Sequence, residues 1–218
     1  MLNSNRRRAN RASRIHQYRK LSEHHRPTIV RATLAKDAIL VLGKGVIAAA
    51  SLSFFMLVNA LYTAGMGLAR YFALKMQHQC RAVQIRSYRA VGIIICIASL
   101  CYVLYAMRLF FGGRTGDYSL YMALVIALYT FVEFGINLKE TWRLRNSHQL
   151  QAKALRAIGF SGTLLCFVLT QTAIMSFAAQ GDNRIPNALA GVIFGSLAAV
   201  RGLFVIKDSY RCSRSAAK

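Results

Sequence analysis

Five runs of this chain are almost free of charge: Val46–Leu68, Ala90–Met107, Tyr118–Ile136, Ala157–Ala179 and Ala188–Val200. They are separated by stretches in which Lys and Arg concentrate. An apolar run of about 20 residues matches the roughly 30 Å hydrocarbon core of a bilayer. A soluble helical protein would instead spread polar faces along its helices. The pattern therefore predicts an all-α fold, a polytopic transmembrane bundle of about five hydrophobic helices over residues 45–206. A basic arm (residues 1–44) precedes the bundle and a basic cytoplasmic tail (residues 207–218) follows it.

The loops alternate in charge. Arg70–Arg89 and Asn137–Arg156 carry five Lys/Arg each, and the tail from Lys207 carries four. The short stretches Gly112–Asp117 and Gln180–Asn187 carry one each, Arg114 and Arg184. The positive-inside rule puts the richly basic group in the cytoplasm. Helices two to five then form two hairpins with short external turns and a cytoplasmic C-terminus. Trp142, Tyr71, Tyr88, Tyr118 and Tyr121 fall near the predicted helix ends, where aromatic belts belong.

The arm holds eleven Lys/Arg against Glu23 and Asp37. Its first half buries too little apolar surface to offset chain entropy and reads as disordered. From Pro27, Ile29, Leu34, Ile39, Leu40 and Leu42 interleave with Arg31, Lys36 and Lys44, the pattern of an interfacial amphipathic helix. From Lys44 to Arg70 the chain would make ~39 Å of helix, long enough to span. Three arrangements are open. Helix one spans with the arm outside; or it re-enters with both ends inside; or the chain breaks near Gly43-Lys44-Gly45, with an extra short span before it. No signal peptide is expected, because the apolar stretch after Ala48-Ala49-Ala50 runs on too far for a signal sequence.

Lys and Arg number 29 against 7 Asp and Glu, a formal net charge of +22. In a soluble protein this would point to nucleic acid. In a membrane chain it points to orientation and to anionic lipid headgroups, with Arg6, Arg7, Arg8, Arg11, Arg31, Lys36 and Lys44 as the expected lipid contacts. Nucleic acid is thus not an expected partner. Cys80, Cys96, Cys101, Cys166 and Cys212 form no CxxC pair and read as small apolar residues. His16, His24, His25, His78 and His148 lie in basic flanks without ligand spacing, so no metal site is expected. Phosphate-binding loops, zinc-protease helices and nucleophile elbows are absent from the sequence. No cofactor is expected, and an enzyme acting on lipid is disfavoured.

Four constellations remain. Glu133 lies six residues before Lys139, and Arg201 six before Lys207. Each is then ~9 Å inside its basic anchor. Charges in lipid usually face the bundle and pair, so an ion pair between Glu133 and Arg201 is expected. It would fix packing register or couple a proton or ion. Thr170, Gln171 and Thr172 form a polar centre in helix four and should bond to a neighbouring helix or line a polar path. In helix one, Asn59 and Thr63 share a face. Gly191, Gly195 and Ala199 make a small-residue stripe that admits a close partner, either another helix of this chain or a second copy.

The fragments Leu61-Tyr62-Thr63-Ala64-Gly65-Met66-Gly67-Leu68-Ala69-Arg70 and Leu169-Thr170-Gln171-Thr172-Ala173-Ile174 resemble stretches of uncharacterised multi-span membrane proteins of Gram-positive bacteria. The resemblance implies a bacterial plasma-membrane location and no particular activity. On the residues themselves, the expected function is that of a small integral membrane protein acting through helix packing with itself or a membrane-protein partner. A transporter or channel using an intramembrane Glu/Arg pair is the alternative.

Overall fold

The computed structural model describes residues 54–76, 79–112, 120–147, 149–178 and 184–216, with isolated positions between 35 and 46. Five long helices account for nearly all of the first set: α1 (Phe54–Lys75), α2 (Arg81–Phe110), α3 (Leu120–Arg143), α4 (Leu150–Ala178) and α5 (Arg184–Ala216). Among the described residues, three stretches are long and apolar enough to cross a membrane: Arg81–Phe110, Leu150–Met175 and Arg184–Arg214. The expected lipid contacts Arg6, Arg7, Arg8, Arg11, Arg31, Lys36 and Lys44 lie outside the described residues.

The helices outrun the apolar runs. The stretches read as basic loops, Arg70–Arg89 and Asn137–Arg156, are mostly helical, and the connections shrink to residues 76–80 and 144–149. Hydropathy marks where a helix leaves oil. It does not mark where a helix ends, because Arg, Lys, Gln and Glu are good helix formers. The tail beyond Lys207 is likewise a continuation of α5, whose 33 residues make a rod of ~50 Å. Side-chain donors tie both tight connections. Gln84 Nε2 donates to the carbonyls of Met76 (3.2 Å) and Gln79 (3.0 Å), closing the α1–α2 turn. Arg156 Nη1 donates to the Arg145 carbonyl at 2.7 Å, while the Arg145 guanidinium stacks on Trp142, closing the α3–α4 turn. At the opposite end α2 stops at Gly112, whose φ of 90° is the left-handed helix-ending conformation that favours glycine.

Cross-helix contacts set the directions. Tyr62 meets Tyr102 edge-on at 6.0 Å, and Gly65 faces Ala98, so α1 and α2 are antiparallel. Along α2 and α5, Ala106 meets Gly191, Val103 meets Gly195, and Cys96 meets Gly202, again antiparallel. Thr130 pairs with Thr170 and Asn137 with Gly162, so α3 opposes α4. Phe167 packs on Phe194 at 4.9 Å, and Lys153 reaches Asp208, so α4 opposes α5. Thus α1, α3 and α5 run one way and α2 and α4 the other. The α1–α2 turn, the α3–α4 turn and the end of α5 gather at one end, which is the basic end.

Packing centres on α2. Tyr62, Met66, Ile85, Val91, Ile95, Tyr102, Ile158, Leu165, Val168 and Val205 form one buried cluster drawn from α1, α2, α4 and α5. The contribution of α3 is smaller: Ile126 joins Tyr105, Leu109, Leu169 and Ala173 in a second cluster. Before α1, Gly43 is helical and lies against the ring and hydroxyl of Tyr129, part-way along α3.

The small-residue stripe faces α2. A β-carbon on Gly195 would come within 2.7 Å of Val103 Cγ2, and one on Gly191 within 2.7 Å of Ala106 Cβ. The Ala199 carbonyl lies 3.4 Å from Cys96 Sγ. The seam continues to Gly202 and Gly92, where a β-carbon on Gly202 would meet the Cys96 nitrogen and the Gly92 carbonyl, both at 3.0 Å. Backbone cannot step aside as a side chain can. Gly202→Ala is therefore expected to lower stability by about 1–3 kcal/mol through overpacking. Gly135→Ala, with nothing within 4 Å of the new carbon, should be neutral or gain up to ~1 kcal/mol of helix propensity. Thermal unfolding of the two variants in mild detergent separates these outcomes; equal shifts would contradict the seam.

Candidate functional site

Two polar stripes face each other across the bundle. On α1, Thr63, Gly67 and Arg70 recur at intervals of four and three residues; on α3, Glu133, Asn137 and Glu140 do the same. That spacing keeps each set on one helix face. Because α1 and α3 run in the same direction, the stripes align residue by residue. A narrow cleft results, lined by Tyr62, Thr63, Met66, Gly67 and Arg70 of α1, Glu133 and Asn137 of α3, and Gly162, Leu165 and Cys166 of α4.

A buried ion pair closes the basic end of the stripes. Arg70 Nη2 lies 3.0 Å from Glu140 Oε2, with the two side chains 3% and 13% exposed. Glu133 and Asn137 are also buried. The floor of the cleft explains how α3 can bury such bulky polar groups. A β-carbon on Gly162 would sit 3.0 Å from Asn137 Nδ2, and one on Gly159 2.6 Å from Thr141 Oγ1. Two glycines of α4, three residues apart, thus make room for two polar side chains of α3. Asn137 Nδ2 in turn approaches Cys166 Sγ at 4.0 Å, and Tyr62 donates to the Ser161 carbonyl at 3.4 Å.

The free space in the cleft is ≈ 20 Å³, room for about one water. Typical ligand pockets are more than an order of magnitude larger, from ~300 Å³. The Arg70 guanidinium and the Glu133 carboxyl group both line this space. The arrangement suits a water or a small cation.

The sequence-based expectations fare unevenly. Glu133 and Arg201 do not meet. Glu133 faces the α1–α3 cleft, whereas Arg201 is half-buried on α5 with Tyr88, Arg156 and Asp208 in its electrostatic surroundings. Lateral position is not available from depth arithmetic: α3 packs on α4, which stands between α3 and α5. In the polar centre of α4, Thr170 makes the interhelical contact, 3.0 Å from Thr130 Oγ1, and also donates to the Cys166 carbonyl. Thr172 is buried and bonds back to the Val168 carbonyl. Gln171 is half-buried and makes no hydrogen bond to another described residue. Asn59 is fully buried, and its carbonyl accepts from Thr63 at 2.8 Å.

Arg70, Asn137 and Glu140 were assigned to basic loops and so missed. The signal was present as the four-and-three spacing from Glu133 to Glu140, continuing past the apparent end of the apolar run. Gly92 and Gly202 were missed because each lies beyond or across from the short motif. The chain matches no protein-family model, and no curated protein resembles it in sequence.

Removing either partner of the Arg70–Glu140 pair leaves a buried charge uncompensated, which typically costs about 3–5 kcal/mol. Arg70→Met and Glu140→Gln are each expected to destabilise on that scale, and the double variant to recover part of the loss. A double-variant cycle by thermal unfolding checks this; additive losses would show that the two groups act independently.

Proposed function

We propose that this chain is a small multi-pass protein of a bacterial plasma membrane that crosses the bilayer with all five helices, acts through helix packing with itself or a membrane-protein partner, and catalyses no reaction. The observation that carries this reading is the way interior and exterior divide the side chains. Among the described residues, polar groups join helices: Arg70 with Glu140 and Thr130 with Thr170 inside the bundle, and Lys153 with Asp208 at its part-exposed basic end. The cleft between them admits about a water. The outward faces are apolar, with Leu61, Leu104, Leu128, Phe131 and Leu203 each more than half exposed. Such faces suit lipid tails or another membrane helix, and they offer no substrate chamber.

The alternating helix directions support the orientation read from charge. With the two tight turns and the α5 terminus at one end, the positive-inside rule places that end in the cytoplasm.

The test is the native mass of the full chain extracted from its own membrane in mild detergent, with identification of co-purifying proteins. A homo-oligomer or a stoichiometric second membrane protein is expected. A lone monomer would count against the packing reading.

Glu133 supports a second reading. A buried acid lining a cleft with Arg70 and Asn137 is the usual mark of an ion or proton path in a membrane. Arg201 and Gln171 stand apart from this cleft, so such a path would use Arg70 and Asn137 instead. On this reading Glu133→Gln abolishes proton or cation flux in liposomes while the thermal midpoint stays within a few degrees of the wild type. Wild-type liposomes no leakier than empty ones would eliminate it.

A further inference from the structure

At the basic end of α2, α4 and α5, five side chains converge from three helices. The carboxylate of Asp208 accepts from Lys153 Nζ at 3.1 Å and from the Tyr88 hydroxyl at 3.3 Å, both at Oδ2. Arg201 lies two turns before Asp208 on the same face of α5, and Arg156 lies one turn beyond Lys153 on α4. Asp208 and Arg156 are both within the electrostatic reach of Arg201. Three cations therefore share one carboxylate, a net charge of +2, and that carboxylate is already engaged by Lys153 and Tyr88.

Arg201 is half-buried, and it makes no hydrogen bond or ion pair to a described residue. Nearby Arg89 is committed elsewhere: it stacks on Tyr210 at 4.1 Å and donates to Ser209 Oγ. A half-buried guanidinium with a second one in its electrostatic surroundings calls for an anion, and its planar fork of donors matches a phosphate; Arg156 gives its Nη1 to the Arg145 carbonyl and keeps its other donors. Depth narrows the source. Arg201 is six residues, ~9 Å, inside Lys207, below the plane of the surface cations. That depth is the edge of the apolar run, where the phosphate of a lipid headgroup meets a helix.

We propose that Arg201, Arg156 and Lys153 form a site for the phosphate headgroup of an anionic lipid on the basic end of α2, α4 and α5. The inference rests on the membrane reading above, but not on the helix-packing or ion-path function. The phosphate takes Arg201 as its principal partner and Arg156 as its second. Lys153 bridges the phosphate to Asp208, and Tyr88 holds that carboxylate in place. This site is separate from the lipid contacts expected of the N-terminal arm. It sits on rigid helices and so should bind lipid saturably, not as a diffuse surface cloud.

The test uses the full chain, delipidated in mild detergent and titrated with phosphatidylglycerol, phosphatidylcholine or glycerol 3-phosphate. Bound lipid is counted by native mass spectrometry, and the thermal midpoint is followed. The wild type is expected to take up one phosphatidylglycerol preferentially and to gain stability from it, with no response to glycerol 3-phosphate. Arg201→Gln should weaken that uptake about tenfold, the value of one charge-assisted contact. Arg86→Gln removes one positive charge from an exposed position at the same end, outside the cluster, and should leave uptake unchanged. If Arg201→Gln does not fold, Arg156→Gln takes its place, with a smaller loss expected. Equal losses in the Arg86 and Arg201 variants would reduce the effect to bulk charge and overturn the site. Glycerol 3-phosphate binding as tightly as the lipid would also overturn it, by making the ligand a soluble phosphate. Failure of the membrane reading itself would show separately, as release of the untreated protein from membranes by alkaline carbonate.

Discussion

Every helix of this bundle depends, directly or through one intermediary, on the close approach of α2 and α5. Lipid tails are as apolar as leucine, so burial alone gives little reason for two helices to meet in a bilayer. Contact area and a few polar bonds must hold them instead. Gly92, Gly191, Gly195 and Gly202 supply that area by letting backbone meet backbone. The pair then presents Ile95, Tyr102 and Val205 to the shared buried cluster. On it α1 packs through Tyr62 and Met66, and α4 through Ile158 and Val168. Only α3 stands outside this arrangement, held chiefly by α4.

Polar contacts complete what the glycines begin, and their placement follows the cost of burying charge. Two ion pairs among the described residues, Arg70–Glu140 and Lys153–Asp208, lie toward the basic end, where the apolar runs give way. There the desolvation penalty is smaller and an ion pair is easier to sustain. The middle of the bundle uses neutral hydroxyls: Thr130 and Thr170 meet at 3.0 Å, one donating to the other and the acceptor donating in turn to a carbonyl of its own helix. Such groups can be buried in lipid without a formal charge. Glu133 departs from this gradient by carrying a carboxyl group deeper than the ion pairs, which is why it commands functional interest.

Helix identity was legible in the residues; lateral neighbours were not. Charge-free runs locate the oil-facing part of each helix, and the alternation of basic and neutral connections foretold that α1–α2, α3–α4 and the α5 end would share a side. The depth arithmetic for Glu133 and Arg201 could not show that α4 stands between their helices. Helix ends were misplaced for a related reason. Arg81, Arg86, Lys139, Arg143 and Lys153 looked like loop because they are charged, yet all continue helices. The site is partly legible: Glu133 and Thr63 stand out in the sequence, while Arg70 and Glu140 are hidden by their basic neighbourhoods. A helical-face count carried past the hydropathy boundary would have recovered them.

The α2–α5 seam also governs how the protein can move. Gly202 sits between the backbone of Cys96 and Gly92, and Gly92 between Gly202 and the side chains of Val205 and Ile206. A slide of one helix along the other would drive side chains into those gaps, so the two travel as a single rigid body. α3 lies outside that seam and packs chiefly on one neighbour, α4. It is also the helix that carries Glu133, Asn137 and Glu140 toward Arg70. A small tilt of α3 against α4 would change the width of the water-sized gap and leave the glycine-locked α2–α5 frame untouched.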